Sequence, residues 1–153
     1  MYRHVYIPTL FLPHGIGEKI LSINTSVKYY LVLIKPDISF NTKTMFEKLD
    51  AKTSLIQEYN SPNVIKALET NNLDMLCNNL YNVFEQVISD CPQIEMLKEL
   101  LIQNGAIGSG MTGSGSCVFG IFSDKKTSKI AYNNIKNLYK TFWCISYNKR
   151  ESR

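Results

Sequence analysis

Apolar positions change their period several times along the chain. Over residues 29–34 they run unbroken (Tyr-Tyr-Leu-Val-Leu-Ile) and stop at Lys35-Pro36-Asp37, the form of a buried strand followed by a turn. After Thr42, the residues Met45, Phe46 and Leu49 fall on adjacent faces of a short helical pattern. Ser61-Pro62-Asn63 opens a helical middle, in which Val64, Ala67 and Leu68 make one amphipathic set. Leu73, Leu76, Leu80, Phe84 and Val87 then recur every three or four residues, which predicts a long helix with one apolar stripe. Asp90-Cys91-Pro92 ends it, and Pro92 suits the first turn of a further helix buried through Ile94, Leu97, Leu100 and Leu101. Asn104-Gly105 closes that helix, since glycine accepts the left-handed conformation favoured at helix ends.

Beyond a glycine-rich run, residues 117–122 read as a strand and residues 128–140 as a helix with Ile135, Leu138 and Tyr139 inward. Residues 142–147 read as a closing strand, and residues 149–153 as a charged tail. Residues 1–14 show no clear period. No repeat, low-complexity stretch or internal linker divides the chain. Strand, helices, strand, helix, strand, without regular βαβ alternation, predicts the α+β class: an antiparallel sheet with helices packed on one face.

Composition narrows this picture only a little. With 153 residues, 44% hydrophobic and 20% charged, the chain can bury the core of one domain and is no disordered polymer. A net charge of +4 suits an anionic ligand without selecting one. The densest cationic cluster, Lys125, Lys126 and Lys129, reads as a solvated helix face. A nucleic-acid binder would show a basic stripe interleaved with aromatics, so no nucleic-acid partner is expected. Cys77, Cys91, Cys117 and Cys144 form no C-x-x-C pair and are expected to be reduced and mostly buried, as in a cytoplasmic protein. His4 and His14 lack ligand spacing, so no metal site is expected. No apolar run approaches the ~20 residues that span a bilayer, so no membrane partner is expected either.

Candidate chemistry concentrates in Gly108-Ser-Gly-Met-Thr-Gly-Ser-Gly-Ser116, which runs straight into residues 117–122. Gly108, Gly110 and Gly113 spell G-x-G-x-x-G, but a dinucleotide fingerprint follows a strand and opens a helix, whereas this run follows a helix and enters a strand. A Walker A loop is excluded because no Gly-Lys-Ser/Thr ending is present. Two readings remain open. Gly113 and Gly115 around Ser114 can form an anion-holding nest, with Thr112, Ser114 and Ser116 adding hydroxyls. Alternatively they make a tight turn where helix packs closely on sheet.

The stretch from Met111 to Phe119 (Met-Thr-Gly-Ser-Gly-Ser-Cys-Val-Phe) resembles the third motif of the GHMP kinases, and Asn104-Gly-Ala-Ile-Gly-Ser-Gly resembles the approach to it. Within that superfamily, three further stretches are similar to the diphosphocytidyl-methylerythritol kinases. These are Gly15-Ile-Gly-Glu-Lys-Ile20, Pro36-Asp-Ile-Ser-Phe-Asn-Thr-Lys-Thr-Met-Phe46, and Asn78-Asn-Leu-Tyr-Asn-Val-Phe-Glu85. The resemblance covers residues 15–148, leaving 1–14 unmatched.

It implies the ferredoxin-like C-terminal lobe of such a kinase. Thr42 would contact the phosphates or ribose of a substrate containing cytidine diphosphate, and Phe46 would stack on its cytosine. From the residues alone, Thr42 could equally cap the following helix and Phe46 could be core. Gly113, Ser114 and Gly115 would border the phosphates, while Gly17 and Glu18 would support the junction between lobes. The family's ATP-binding loop, catalytic Asp and assisting Lys belong to an N-terminal lobe and match nothing in these 153 residues. The expectation is therefore a partial chain, inactive alone, whose partner is that lobe and whose parent uses Mg-ATP, with no catalytic residue and no cofactor of its own. Another GHMP kinase (homoserine, mevalonate or sugar), or a non-enzymatic ligand-sensing or interaction module, are the alternatives.

Overall fold

The computed structural model describes residues 10–14, 19–23, 29–54 and 60–145. Near the start of the chain, β1 (Leu10–His14) and β2 (Lys19–Ile23) pair antiparallel, with His14 opposite Lys19. The unpatterned beginning thus contains strand that no alternation announced. The main sheet has four strands in the order β4-β5-β3-β6. Its centre is β3 (Tyr30–Lys35) and β5 (Val118–Phe122); β4 (Gly108–Met111) and β6 (Lys140–Ile145) form its edges. All pairings are antiparallel, and Val32 lies opposite both Gly120 and Trp143.

Alternation along the strands sorts side chains onto two faces. On one face Val32, Ile34, Val118 and Phe122 join three helices in the main core. Met45 comes from α1 (Thr42–Ala51), Ile94, Leu97 and Leu101 from α4 (Pro92–Gln103), and Ala131 and Ile135 from α5 (Lys125–Ile135). This is the expected α+β layer of helices on an antiparallel sheet. Each fully buried Leu or Ile there contributes roughly 1.5–3 kcal/mol relative to leaving it exposed. On the alternate residues, Leu31, Phe119 and Ile121 meet Ala67 and Leu68 of α2 (Ser61–Glu69) and Leu76 of α3 (Leu73–Asn78) in a smaller core.

Side-chain caps set the helix starts. Asn41 accepts from the Lys43 and Thr44 amides at 2.9 and 3.2 Å, and Asp124 accepts from the Thr127 amide at 2.8 Å. Pro92 opens α4 in its first turn, as its fixed φ favours.

The stripe from Leu73 to Val87 is not one helix. α3 stops at Asn78, and a 3-10 helix (Val83–Val87) follows, started by Asn82, whose side chain accepts from the Phe84 amide at 3.1 Å. Leu73, Leu76 and Leu80 pack into the smaller core, whereas Phe84 and Val87 pack into the main one. A straight helix presents one stripe to one partner, so a segment serving both faces of a sheet must break between them.

The glycine-rich run is likewise divided, because Gly108–Met111 is edge strand and only residues 112–117 form the connection. α5 ends at Ile135, so the helical spacing that aimed Leu138 inward has lapsed, and Leu138 is 68% exposed. Tyr139 does pack on the main core. All four cysteines are free. Burial, with a smaller contribution from Asp74, pushes the Cys77 thiol up to about 11. Among the described residues no helix is long and apolar enough to cross a membrane.

Candidate functional site

β4 and β5 form a hairpin whose turn is the glycine-serine segment. The Gly115 amide donates to the Thr112 carbonyl at 2.9 Å, and the Thr112 amide to the Cys117 carbonyl at the same distance. Gly113 and Gly115 have φ of 50° and 89°, a region that side-chain-bearing residues rarely enter. A Cβ on Gly115 would fall 2.5 Å from the Phe40 ring and 2.7 Å from Met111 Sδ. At Gly113 the same position meets nothing within 4 Å, so the turn is packed on one side and open on the other.

Polar contacts from β3 and α1 converge on this turn. Lys35, the last residue of β3, extends its ammonium to Ser116 Oγ at 2.7 Å and to the Ile38 carbonyl at 2.9 Å. Ser116 is 2% exposed, and its hydroxyl donates to the same Ile38 carbonyl. Thr42 Oγ1 lies 3.0 Å from Ser114 Oγ, linked by a hydrogen bond near the surface. Asn41 caps α1, which leaves the Thr42 hydroxyl for the turn. One helical turn later Phe46 is 54% exposed, meeting Phe84 edge-on at 5.1 Å between ring centroids. Thr42 is therefore joined to the turn of Gly113, Ser114 and Gly115, while the contact seen for Phe46 is with Phe84. Gly17 and Glu18 lie outside the described residues.

A second set of side chains, not anticipated from the sequence, holds the outer edge of β4. The Asn82 side-chain amide donates to the Met111 and Gly113 carbonyls at 2.8 and 2.9 Å. Glu85 Oε1 accepts from the Met111 amide at 2.8 Å. Together they supply the donors and acceptor that a neighbouring strand would supply. Glu85 Oε2 pairs with Lys98 of α4 at 2.7 Å, and Lys98 also reaches Glu95 at 2.9 Å. Burial alone depresses the Lys98 pKa, but Glu85 and then Glu95 outweigh it and hold the ammonium above its ordinary value.

These groups line an open cleft of about 590 Å³ that also reaches Tyr81, Thr112 and Phe119. The one sequence signal was the stretch Asn78 to Glu85, where Asn82 and Glu85 stand three apart as N-cap and first-turn acid of the 3-10 helix. Lys98 carried no signal. α1 is tied to the same segment by Lys52, which donates to the Gln86 carbonyl at 2.6 Å, and by Lys48, paired with Asp90 at 2.8 Å. Among the described residues no group of three or more His, Cys, Asp or Glu is placed to hold a metal ion.

Residues 64–141 match the family described as GHMP kinases C terminal. The 4-diphosphocytidyl-2-C-methyl-D-erythritol kinase of Clostridium tetani is 37% identical over 136 residues, covering 88% of this chain and 48% of that relative. The corresponding enzyme of Clostridium botulinum is 38% identical over 130 residues, covering 84% and 46%. The chain thus spans about half the length of the curated relatives it matches.

Two solved structures share its fold. A homoserine kinase from Cytophaga hutchinsonii superposes with a TM-score of 0.70 at 16% identity, covering 90% of this chain and 47% of that one. A 4-(cytidine 5'-diphospho)-2C-methyl-D-erythritol kinase superposes at 0.69 and 16% identity, covering 84% and 46%. Sheet order, the glycine-serine hairpin and the sequence match agree: the chain belongs to the GHMP kinases, as their C-terminal domain.

Proposed function

We propose that this chain is the substrate-side lobe of an ATP-dependent 4-diphosphocytidyl-2-C-methyl-D-erythritol kinase of the non-mevalonate isoprenoid pathway, which phosphorylates the 2-hydroxyl of the methylerythritol unit. The Thr42–Ser114 hydrogen bond carries the reading, because it joins the start of α1, whose Phe46 is exposed one helical turn on, to the glycine-serine turn. The named activity of the clostridial relatives supports the choice of substrate.

In this reading the Phe46 ring stacks on cytosine, a contact worth roughly 1–3 kcal/mol for a base on an aromatic side chain. The Thr42 hydroxyl serves the ribose or phosphates. Backbone donors of Gly113, Ser114 and Gly115 hold negative charge near the transferring group. The described residues do not fit a Mg²⁺ site: no acidic cluster is placed for one, and Glu85, the carboxylate beside the turn, is committed to Met111 and Lys98. By the resemblance to the GHMP kinases, Mg-ATP, the proton-accepting Asp and the assisting Lys belong to an N-terminal lobe, the partner of this one. The polypeptide alone transfers no phosphate.

The test is phosphorylation of diphosphocytidyl-methylerythritol by the purified chain with Mg-ATP, with and without the N-terminal lobe of a clostridial relative expressed separately. Silence alone and activity on mixing is the expected outcome. Turnover by the chain alone, surviving removal of trace kinase, overturns the division of labour. Because the homoserine kinase superposes as well as the cytidine-substrate enzyme does, homoserine is run in parallel. Preference for homoserine on mixing overturns the substrate.

A further inference from the structure

Lys35 holds a positive charge that no carboxylate among the described residues neutralises. Its ammonium is partly buried where β3 ends, and it spends two of three N–H donors on uncharged acceptors, Ser116 Oγ and the Ile38 carbonyl. The ion pairs among the described residues are those of Lys43, Lys48 and Lys98, and no carboxylate pairs with Lys35, the nearby Asp37 included. Charges drawn away from water are ordinarily paired, because desolvation is costly otherwise. What it meets is one hydroxyl of the turn, and the same turn carries a second hydroxyl bonded to α1. Ser116 is in direct contact, and Ser114 and Thr42 are bonded to each other at the surface. Gly113 leaves the approach clear of any side chain. Fixed cation, adjacent hydroxyls and open backbone are the elements of a site for a tetrahedral oxyanion.

We infer that Lys35 is the fixed cation of an anion subsite on the 112–117 turn, and that its missing counterion is a diphosphate group borne by the ligand. The inference deepens the function proposed above and rests on it for which ligand brings the diphosphate. Lys35 acts through Ser116 and through its third N–H, so it is a binding and positioning residue, with no part in proton transfer. The Lys43–Glu47 pair at 3.8 Å on exposed α1 is self-compensated and adds little.

The test titrates the ¹⁵N-labelled chain with inorganic pyrophosphate, CDP and ADP, following backbone amides and the Lys35 Nζ resonance. Variants are Lys35→Gln, which keeps N–H donors and removes the charge, Lys35→Arg, which keeps the charge, and Phe46→Ala. Pyrophosphate is expected to move Ser114, Gly115 and Ser116 amides together with Lys35 Nζ. Lys35→Gln should weaken binding about tenfold or more, the scale of a lost charged hydrogen bond, and Lys35→Arg should recover most of it.

Pyrophosphate binding unchanged in a folded Lys35→Gln variant, or no binding by the parent chain, overturns the inference. Should Lys35→Gln not fold, the parent's Nζ signal decides alone, and a resonance unmoved at saturating pyrophosphate overturns it equally. The cytidine arm separates the two claims. Tighter binding of CDP than ADP, lost in Phe46→Ala, supports the substrate reading. Equal binding of both nucleotides, indifferent to Phe46 yet weakened by Lys35→Gln, defeats that reading and leaves the Lys35 site standing.

Discussion

The main core on one face of the sheet and the end of the sheet where the turn sits are held by different forces. On the face, Val32, Ile34, Leu101 and Phe122 are fully buried among other apolar side chains. Shape governs most of it, with Trp143 Nε1 donating to the buried Ser128 hydroxyl at 3.0 Å. At the end, Lys35, Ser116, Thr42, Asn82 and Glu85 fix the turn by bonds between single atoms. The first arrangement decides whether the chain folds, because its free energy grows with buried area. The second adds little net stability, since each bond replaces one to water. It decides where Ser114 and Gly115 stand. The sheet and its turn thus divide those tasks between them.

The separation makes graded predictions. Leu101→Ala should cost about 2–5 kcal/mol and lower the melting temperature of the whole chain in calorimetry. A loss below about 1 kcal/mol would show that α4 is not central to the core. Glu85→Ala removes the acceptor of the Met111 amide and leaves Lys98 with Glu95 alone, at an expected cost of about 1–3 kcal/mol. Its signature is local: amide exchange should quicken at residues 111–117 while α5 keeps its protection. Equal quickening in both would break the comparison, since the polar end would then be carrying the fold.

The smallest effect lies on the surface of α5. The Thr127 amide bonded to Asp124 holds that carboxyl below its ordinary 3.8. A depressed folded-state pKa stabilises above the ordinary carboxyl range, and the stabilisation disappears as pH falls through the folded value. Asp124→Asn keeps an equally good cap and removes the titration. Its melting temperature should therefore decline less steeply than the parent's between about pH 5 and pH 3. Some slope persists, because the hydrogen bond and charge of Lys48 lower Asp90 in the same direction. Identical acid limbs would mean that Asp124 caps without contributing charge.

The sequence was legible where an element keeps one period along its whole length. β3, β5 and α4 kept their period intact, and Pro92 and Asn104-Gly105 punctuated α4 as expected. It misled at residues 73–87, where five apolar positions at helical spacing are shared between two cores and the chain must bend. Periodicity records distance along the chain and is blind to a change of partner. The glycine-serine turn was legible as a motif, and Thr42 beside it only through likeness to a family. Asn41 as the cap, and the Thr42 hydroxyl turned to Ser114, depend on a choice between two polar neighbours that pattern does not make. Lys35 and Ser116 stand 81 positions apart, so no local window could have joined them.

Edge strands invite company, because their outward amides and carbonyls suit any extended peptide that drifts alongside. β4 carries three glycine or serine residues followed by methionine, with no charge of its own to repel such a visitor. Asn82 and Glu85 occupy that edge in advance. The pair that steadies the turn thereby also guards β4 against adding a stray strand, a protection most needed while the chain is newly made.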